Sequence, residues 1–294
     1  MPVDARISTF VTRVTAAKHS RPTVRALCQE EWQAIDAQYR TEDSRRVRVT
    51  AYRNAMKDAG LPKYVWTVLR MPRQRARALR PLYGAQVGAK SENQQPIYDY
   101  QRLIEVAVRC LESPHYSNVL VGLCLLSGRR PVELCLTGDF CEDDALPQGQ
   151  VYFKGQAKTR DDELADVAFA IPLLCDVSVF IDGWTRFLTM KDFSSYAGER
   201  FKRFKALAKT FGEAYDRHFA TLMPPNTSVR NLRDAYALIA YHTCRPAHPH
   251  IAINLYLKQI LGHGMKEYSD SKGTTAQSYQ KFYLADFATS QREN

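Results

Sequence analysis

No apolar run in this chain of 294 residues is long enough to cross a bilayer. Nothing at the amino terminus has the layout of a secretory signal, since Met1-Pro2-Val3-Asp4-Ala5-Arg6 opens a mixed polar segment. The seven cysteines are scattered, with no CxxC pair and no metal-ligand spacing. That gives no sign of a disulfide framework or a cysteine-held metal, and the thiols are expected to be reduced core residues of a cytoplasmic protein. His242, His248 and His250 lie close together but lack Cys or Asp partners at ligand spacing, so no metal site is expected. Internal repeats and low-complexity tracts are missing as well. What remains is a globular chain whose length makes two domains the natural expectation.

Acidic residues are scarce in the first third. Through Lys90 there are 18 Lys and Arg against 7 Asp and Glu, and the remainder carries 23 against 24. The whole net charge of +10 therefore belongs to the first third. A polyanion is the expected partner, with nucleic acid foremost. The same third reads as helical. Ile7, Phe10, Val11 and Val14 have helical spacing, Pro22 opens a second helix with Val24, Leu27, Trp32 and Ile35, and Gly60-Leu61-Pro62 closes a third. Arg70, Arg73, Arg75, Arg77 and Arg80 then alternate with small residues between prolines, a pattern suited to tracking DNA phosphates.

Past a linker at 84–95 the character changes. Tyr98 to Leu111 has the pattern of an amphipathic helix, and Val119 to Leu126 that of a buried one. The buried helix stops at Gly128, and Pro131 suits the first turn of the next, so Arg129 and Arg130 fall in a tight joint. A guanidinium fixed there is a forked donor for phosphate or carboxylate; the other reading is a pairing with a buried acid such as Glu133. Val151–Phe153 and Val167–Ile171 read as two short strands, with Lys154 and Lys158 in the hairpin between them. Helices are expected at 178–189 and 198–218. Thr227 or Ser228 can cap the next helix, which carries Arg230 and Arg233 in its first turn. Two cations there oppose the macrodipole, a conflict that a bound anion would remove. After a helix at 252–260 come Leu261-Gly262-His263 and then Thr274-Thr275-Ala276-Gln277-Ser278-Tyr279.

The order Arg, Lys, Arg, His, Tyr, each in its setting, resembles the catalytic domain of the tyrosine recombinases from about Pro96 to Asp286. Within that superfamily, Gly128-Arg129-Arg130-Pro131, Gly155-Gln156-Ala157-Lys158-Thr159 and Ser278-Tyr279 are most similar to the telomere resolvases, or protelomerases. The resemblance implies a mainly α fold with a small β-sheet. It would comprise a helical DNA-binding domain at 1–83 and a tyrosine-recombinase-type catalytic domain at 96–294. It implies Tyr279 as the nucleophile forming a 3′-phosphotyrosyl bond, Arg130 and Arg233 on the non-bridging oxygens, Lys158 as general acid, and His263 on the phosphate or in proton transfer. Arg230 stands where the superfamily usually has His or Lys, and Arg129 is counted with the DNA contacts.

The implied partner is double-stranded DNA with an inverted-repeat site, bound by a homodimer, with no cofactor, metal, ATP or membrane. The implied setting is the cytoplasm of a prokaryotic cell or phage-infected host. The implied product is a covalently closed hairpin. The alternatives are a site-specific recombinase or integrase with the same chemistry, and a DNA-binding relative without cleavage. The segment 265–272 lengthens the gap between His263 and Tyr279 and offers Tyr268 as a competing nucleophile. Tyr256 is expected in the core, and Tyr283 is expected to pack beside Tyr279 on a short helix.

Overall fold

The computed structural model describes residues 3–17, 20–79, 89, 92–157, 167–197, 203–244, 251–262 and 281–286. The chain forms two compact units, Met1–Gln86 and Val87–Asn294. Among the described residues no helix is long and apolar enough to cross a membrane.

The first unit is helical: α1 (Val3–Ala16), α2 (Arg21–Gln38), α3 (Glu42–Asp58) and α4 (Lys63–Val68). Pro22 lies in the first turn of α2, where no N–H is needed. Thr41 caps α3 by accepting from the Ser44 N–H at 3.2 Å, and Glu42 and Asp43 suit the positive end of its dipole. Phe10, Val14, Val24, Ile35, Tyr52 and Met56 meet in one core, with Phe10 and Tyr52 edge-to-face at 5.3 Å. One acid shares the buried stripe of α2. Glu31, only 6% exposed, accepts from the Tyr52 hydroxyl at 2.6 Å and from Arg6 Nε at 2.8 Å. Those two donors replace the water the carboxylate has lost.

The arginine strap divides. Residues 73–79 are helical, and Arg70, Arg73 and Arg77 are exposed. Arg75 is not available as expected. Its guanidinium makes a forked pair with Asp36 at 2.8 and 2.9 Å and also binds Glu42, because these two carboxylates lie on neighbouring helix ends within its reach. Arg80 lies outside the described residues.

The second unit is built around α6 (Tyr116–Ser127), whose residues from Ser117 to Ser127 are all buried. A helix that is apolar on every side belongs in the middle of a core. It packs against α5 (Tyr100–Leu111), α7 (Val177–Met190), α8 (Ala208–His218) and α9 (Val229–Thr243). The strands β2 (Asp139–Cys141), β3 (Gln150–Lys154) and β4 (Phe169–Pro172) form an antiparallel sheet in the order β2-β3-β4. In β3, Val151 and Phe153 face the core while Lys154 faces out, the alternation of a half-covered sheet. α10 (Ile253–Ile260) follows α9. A second, parallel pair joins β1 (Gln95–Ile97) to β5 (Phe282–Leu284), with Ile97 beside Leu284.

Three details differ from the sequence reading. Of the helix expected at 198–218, residues 198–202 lie outside the described residues, Arg203–Leu207 is a 3₁₀ turn, and α8 follows from Ala208. Tyr283 lies on a strand rather than a helix, so the two-residue period buries Phe282 and Leu284 and leaves Tyr283 38% exposed. The sheet gains β2, three residues whose pattern is too short to stand out in sequence.

Tyr52→Phe removes one of the two donors to the buried Glu31 carboxylate. It is expected to destabilise the first unit by about 1.5–3 kcal/mol, the worth of a hydrogen bond to a charged group. Urea unfolding followed by the fluorescence of Trp32 and Trp66, with Trp184 of the second unit replaced by Phe in both proteins, measures it; a change within about 0.5 kcal/mol would remove Glu31 as a stabilising element.

Candidate active site

The joint after α6 is shaped by backbone before it is shaped by charge. Gly128 ends the helix in the left-handed region, at φ 66°, and an added Cβ would overlap the Tyr236 ring. Tyr236 is fully buried on α9 and donates to the Pro172 carbonyl at 2.7 Å, which fixes the ring in place. The next residues diverge: Arg129 is 1% exposed, whereas Arg130 is only partly buried. Pro131 then begins a short helix that widens into a π-turn at Glu133–Thr137, closed by Gly138 N–H donating to the Glu133 carbonyl at 2.6 Å. Such turns recur where a helix is distorted to aim a functional group.

Glu133 is the group aimed. Its side chain is fully buried. The carboxylate accepts from the Arg130 backbone N–H at 2.8 Å, from the Arg130 guanidinium, and from the Ala157 N–H at 3.4 Å. Arg233 Nη1 stands 3.8 Å from its second oxygen. Burial pushes the carboxyl pKa up, but Arg233, Arg130 and Arg129 outweigh that and hold it down at about 2. Both sequence readings of the joint thus meet in one place: Arg130 has a buried acid for a partner, and it remains the arginine that reaches the surface.

Arg233 is 5% exposed and donates to the Gly128 carbonyl and, at 3.0 Å, to the Leu261 carbonyl. It therefore joins the ends of α6 and α10. Arg230, one turn earlier, is exposed. The two arginines of this first turn differ in burial, because the carbonyls at two helix ends draw Arg233 inward. Ser228 begins α9, its N–H donating to Asn231 Oδ1 at 3.0 Å.

Arg129 does not belong with the DNA contacts. Its guanidinium donates to the Ser127 carbonyl at 3.1 Å and to the Ile260 carbonyl at 2.6 Å. It lies over the Phe153 ring at 4.8 Å and the Phe169 ring at 5.4 Å. A guanidinium enclosed in this way cannot also reach a phosphate on the surface. Burial, reinforced by Arg233, draws its pKa down to about 9.

Lys158, His263 and Tyr279 lie outside the described residues, as do Tyr268 and the segment 265–272. Their described neighbours are anchored to the cluster. Ala157 binds Glu133, as above. Gly262 has φ 67°, and an added Cβ would overlap the Gln156 side chain, so the end of α10 touches the exit of β3. Lys281 Nζ lies 3.0 Å from Asp234, the residue after Arg233. Asp234 is 4% exposed, and it also accepts from Asn231 at 2.9 Å. Burial raises its pKa against the pull of Lys281. Sequence reasoning did not single out Asp234 or Lys281; the only local signal is an acid directly beside Arg233 on an otherwise buried helix face. Tyr256 is core, as expected, donating to the Ala240 and Cys244 carbonyls.

Glu133→Gln is expected to cost about 3–5 kcal/mol, since it leaves buried arginines without their counter-charge. The folded-state pKa lies below the ordinary carboxylate value, so the stabilisation is fully present above about pH 4.5 and is lost as the pH falls towards 2. Urea unfolding of wild type and variant at pH 6 and pH 3 should show the gap narrowing at the lower pH. An unchanged gap would mean that charge is not what Glu133 contributes.

Residues 94–282 match the family model described as the telomere resolvase ResT/TelK catalytic domain. No curated protein matches the chain. Among solved structures, a variant of protelomerase TelA covalently complexed with substrate DNA superposes with a TM-score of 0.84 at 21% identity, covering 100% of this chain and 92% of that one. A TelA mutant complexed with a DNA hairpin product gives 0.81 at 20% identity, covering 99% and 91%. Protelomerase TelK complexed with substrate DNA gives 0.52 at 20% identity, covering 96% of this chain and 59% of that one. These likenesses establish a shared fold, and the family model spans well over half of the sequence, including the Glu133 cluster: the chain belongs to the telomere resolvase family.

Proposed function

We propose that this protein cuts both strands of an inverted-repeat duplex through a phosphotyrosyl intermediate on Tyr279 and rejoins them as covalently closed hairpins. The observation that carries the proposal is the convergence at Glu133. Arg130 and Arg233 flank its carboxylate, and the chain neighbours of Lys158, His263 and Tyr279 are bonded to Glu133, Arg233 and Asp234 in turn. The TelA structures with substrate DNA and with hairpin product support the same pair of end states for this chain.

In this reading the Tyr279 phenol gives up its proton, to His263 or to water, as its oxygen attacks the scissile phosphorus. The bond from phosphorus to the 5′-oxygen breaks, and Lys158 gives that oxygen its proton. Arg130 and Arg233 bind the non-bridging oxygens, whose charge rises in the pentacoordinate transition state. His263 binds the same phosphate or assists proton transfer. Arg230 contributes a donor from the helix start but no acid, because a guanidinium keeps its proton. Rejoining reverses the step, with a 5′-hydroxyl as nucleophile and Tyr279 as leaving group. The phosphotyrosyl bond conserves the energy of the broken one, so nucleotide hydrolysis has no role. Two protomers act on the two halves of the site, and the exposed Arg70, Arg73 and Arg77 of the first unit add phosphate contacts. The reaction belongs in the compartment that holds the DNA, the cytoplasm of a prokaryotic cell or phage-infected host.

The test is product topology. An inverted-repeat duplex should yield two ends that snap back after denaturation; four-strand joints would make the protein a recombinase, and binding without any cleavage a DNA-binding relative. Tyr279→Phe should abolish the covalent adduct with binding retained, and peptide mapping of a trapped adduct that finds DNA on Tyr268 or Tyr283 would overturn the nucleophile. Lys158→Ala should slow cleavage by about 10²–10⁴. It should slow much less a 5′-bridging phosphorothiolate, whose sulfur leaves without a proton; equal losses on both substrates would argue against Lys158 as the acid.

A further inference from the structure

Arg129 is a large, charged side chain sealed into the core one residue from Arg130, and the chemistry above makes no use of it. Three separate pieces of chain meet on its guanidinium. The Ser127 carbonyl, at the end of α6, accepts from Nε at 3.1 Å, and this is the joint that carries Arg130. The Ile260 carbonyl, at the end of α10, accepts from Nη2 at 2.6 Å, and three residues later the chain reaches His263. Phe153 of β3 and Phe169 of β4 lie against its face at 4.8 and 5.4 Å, and these are the two strands that bracket Lys158. No hydrocarbon side chain could serve here, since the two carbonyls are buried and need donors. Lysine could serve only in part. Its single ammonium has no planar face to stack on the rings and no fork to span two carbonyls.

We propose that Arg129 is a positioning residue for strand cleavage, holding the chains that lead to Lys158 and His263 in register with Arg130. The proposal rests on the reading of Lys158 and His263 as parts of the reactive set. Its physical content is distance. Reactive groups held on three different chain segments must keep a common geometry, and a displacement of about 1 Å costs on the order of 100-fold in rate. Among the described residues, the Arg129 guanidinium is a group that touches all three supports. Arg233 also ties α6 to α10, through the Gly128 and Leu261 carbonyls, and Arg129 adds the stacking on the β3 and β4 rings that brings the hairpin into the same set.

The experiment is Arg129→Lys in the full chain, with Phe153→Leu as a second variant that keeps the arginine and loosens its stacking surface. Each is assayed on inverted-repeat duplex for three quantities: DNA affinity, single-turnover rate of covalent adduct formation, and thermal unfolding by circular dichroism. The assay temperature is held well below the unfolding transition. Positioning predicts adduct formation slower by about 10- to 100-fold with affinity within two-fold (an approximate margin) of wild type. It also predicts a smaller deficit on the 5′-bridging phosphorothiolate, because that substrate no longer needs Lys158 in place. Adduct formation at the wild-type rate in either folded variant overturns the proposal. So does a loss that is equal on both substrates and follows the unfolded fraction, which is the mark of a purely structural arginine. Should wild type itself form no adduct on Tyr279, the functional reading fails instead, and the two failures are distinguished by that control.

Discussion

One carboxylate governs the second unit. Glu133 is fully buried, and an ionised group in that position is tolerable only with opposite charge close by. Here the opposite charge exceeds it. Arg130, Arg233 and Arg129 all act on one anion. The cluster keeps a surplus of positive charge in a region largely stripped of water. Such a surplus is an unfavourable feature for the free protein and a favourable one for binding a phosphate whose charge is about to increase. The acid limits the repulsion among the arginines and sets their places, and on the proposed reading little reorganisation is then left for the reaction.

The same guanidiniums solve a second problem. Helices α6 and α10 both end in buried residues, where the last carbonyls lack a further helical turn to supply their donors. Arg233 serves Gly128 and Leu261, and Arg129 serves Ser127 and Ile260. Cations at the negative ends of two helix dipoles are favourable in their own right. Stability and reactivity are thus drawn from one set of bonds. This is why a deletion at Glu133 or at Arg233 is expected to be felt in folding as well as in rate.

Much of this was legible. The apolar run from Val119 to Leu126 announced a central helix, Gly128 its end, and the ordered Arg, Lys, Arg, His and Tyr motifs the family. What escaped was long-range or short. The division of labour between Arg129 and Arg130 depends on Ile260, Phe153 and Phe169, none of them near in sequence. The pairing of Lys281 with Asp234 spans 47 residues, and Lys281 has no local pattern that marks it. Arg75 read as one of five equal arginines until Asp36 and Glu42 were brought beside it. Glu31 sits at a buried position of the α2 stripe, where only the fold reveals that Tyr52 and Arg6 complete it. β1, β2 and β5 are three residues each, too brief for an alternation to register.

The parallel pairing of β1 with β5 has a consequence for how the protein comes into being. β1 opens the second unit and β5 is the final strand among the described residues, so during synthesis one partner must wait while nearly the whole unit is made. Closing so long a loop carries an entropic cost that is recovered only when the distant strand arrives. The lysine that follows Tyr279 by two positions docks on Asp234 in the same event. A chain stalled before β5 emerges would therefore hold β1 without its partner, and the first strand of the unit is the one that waits longest for its pairing.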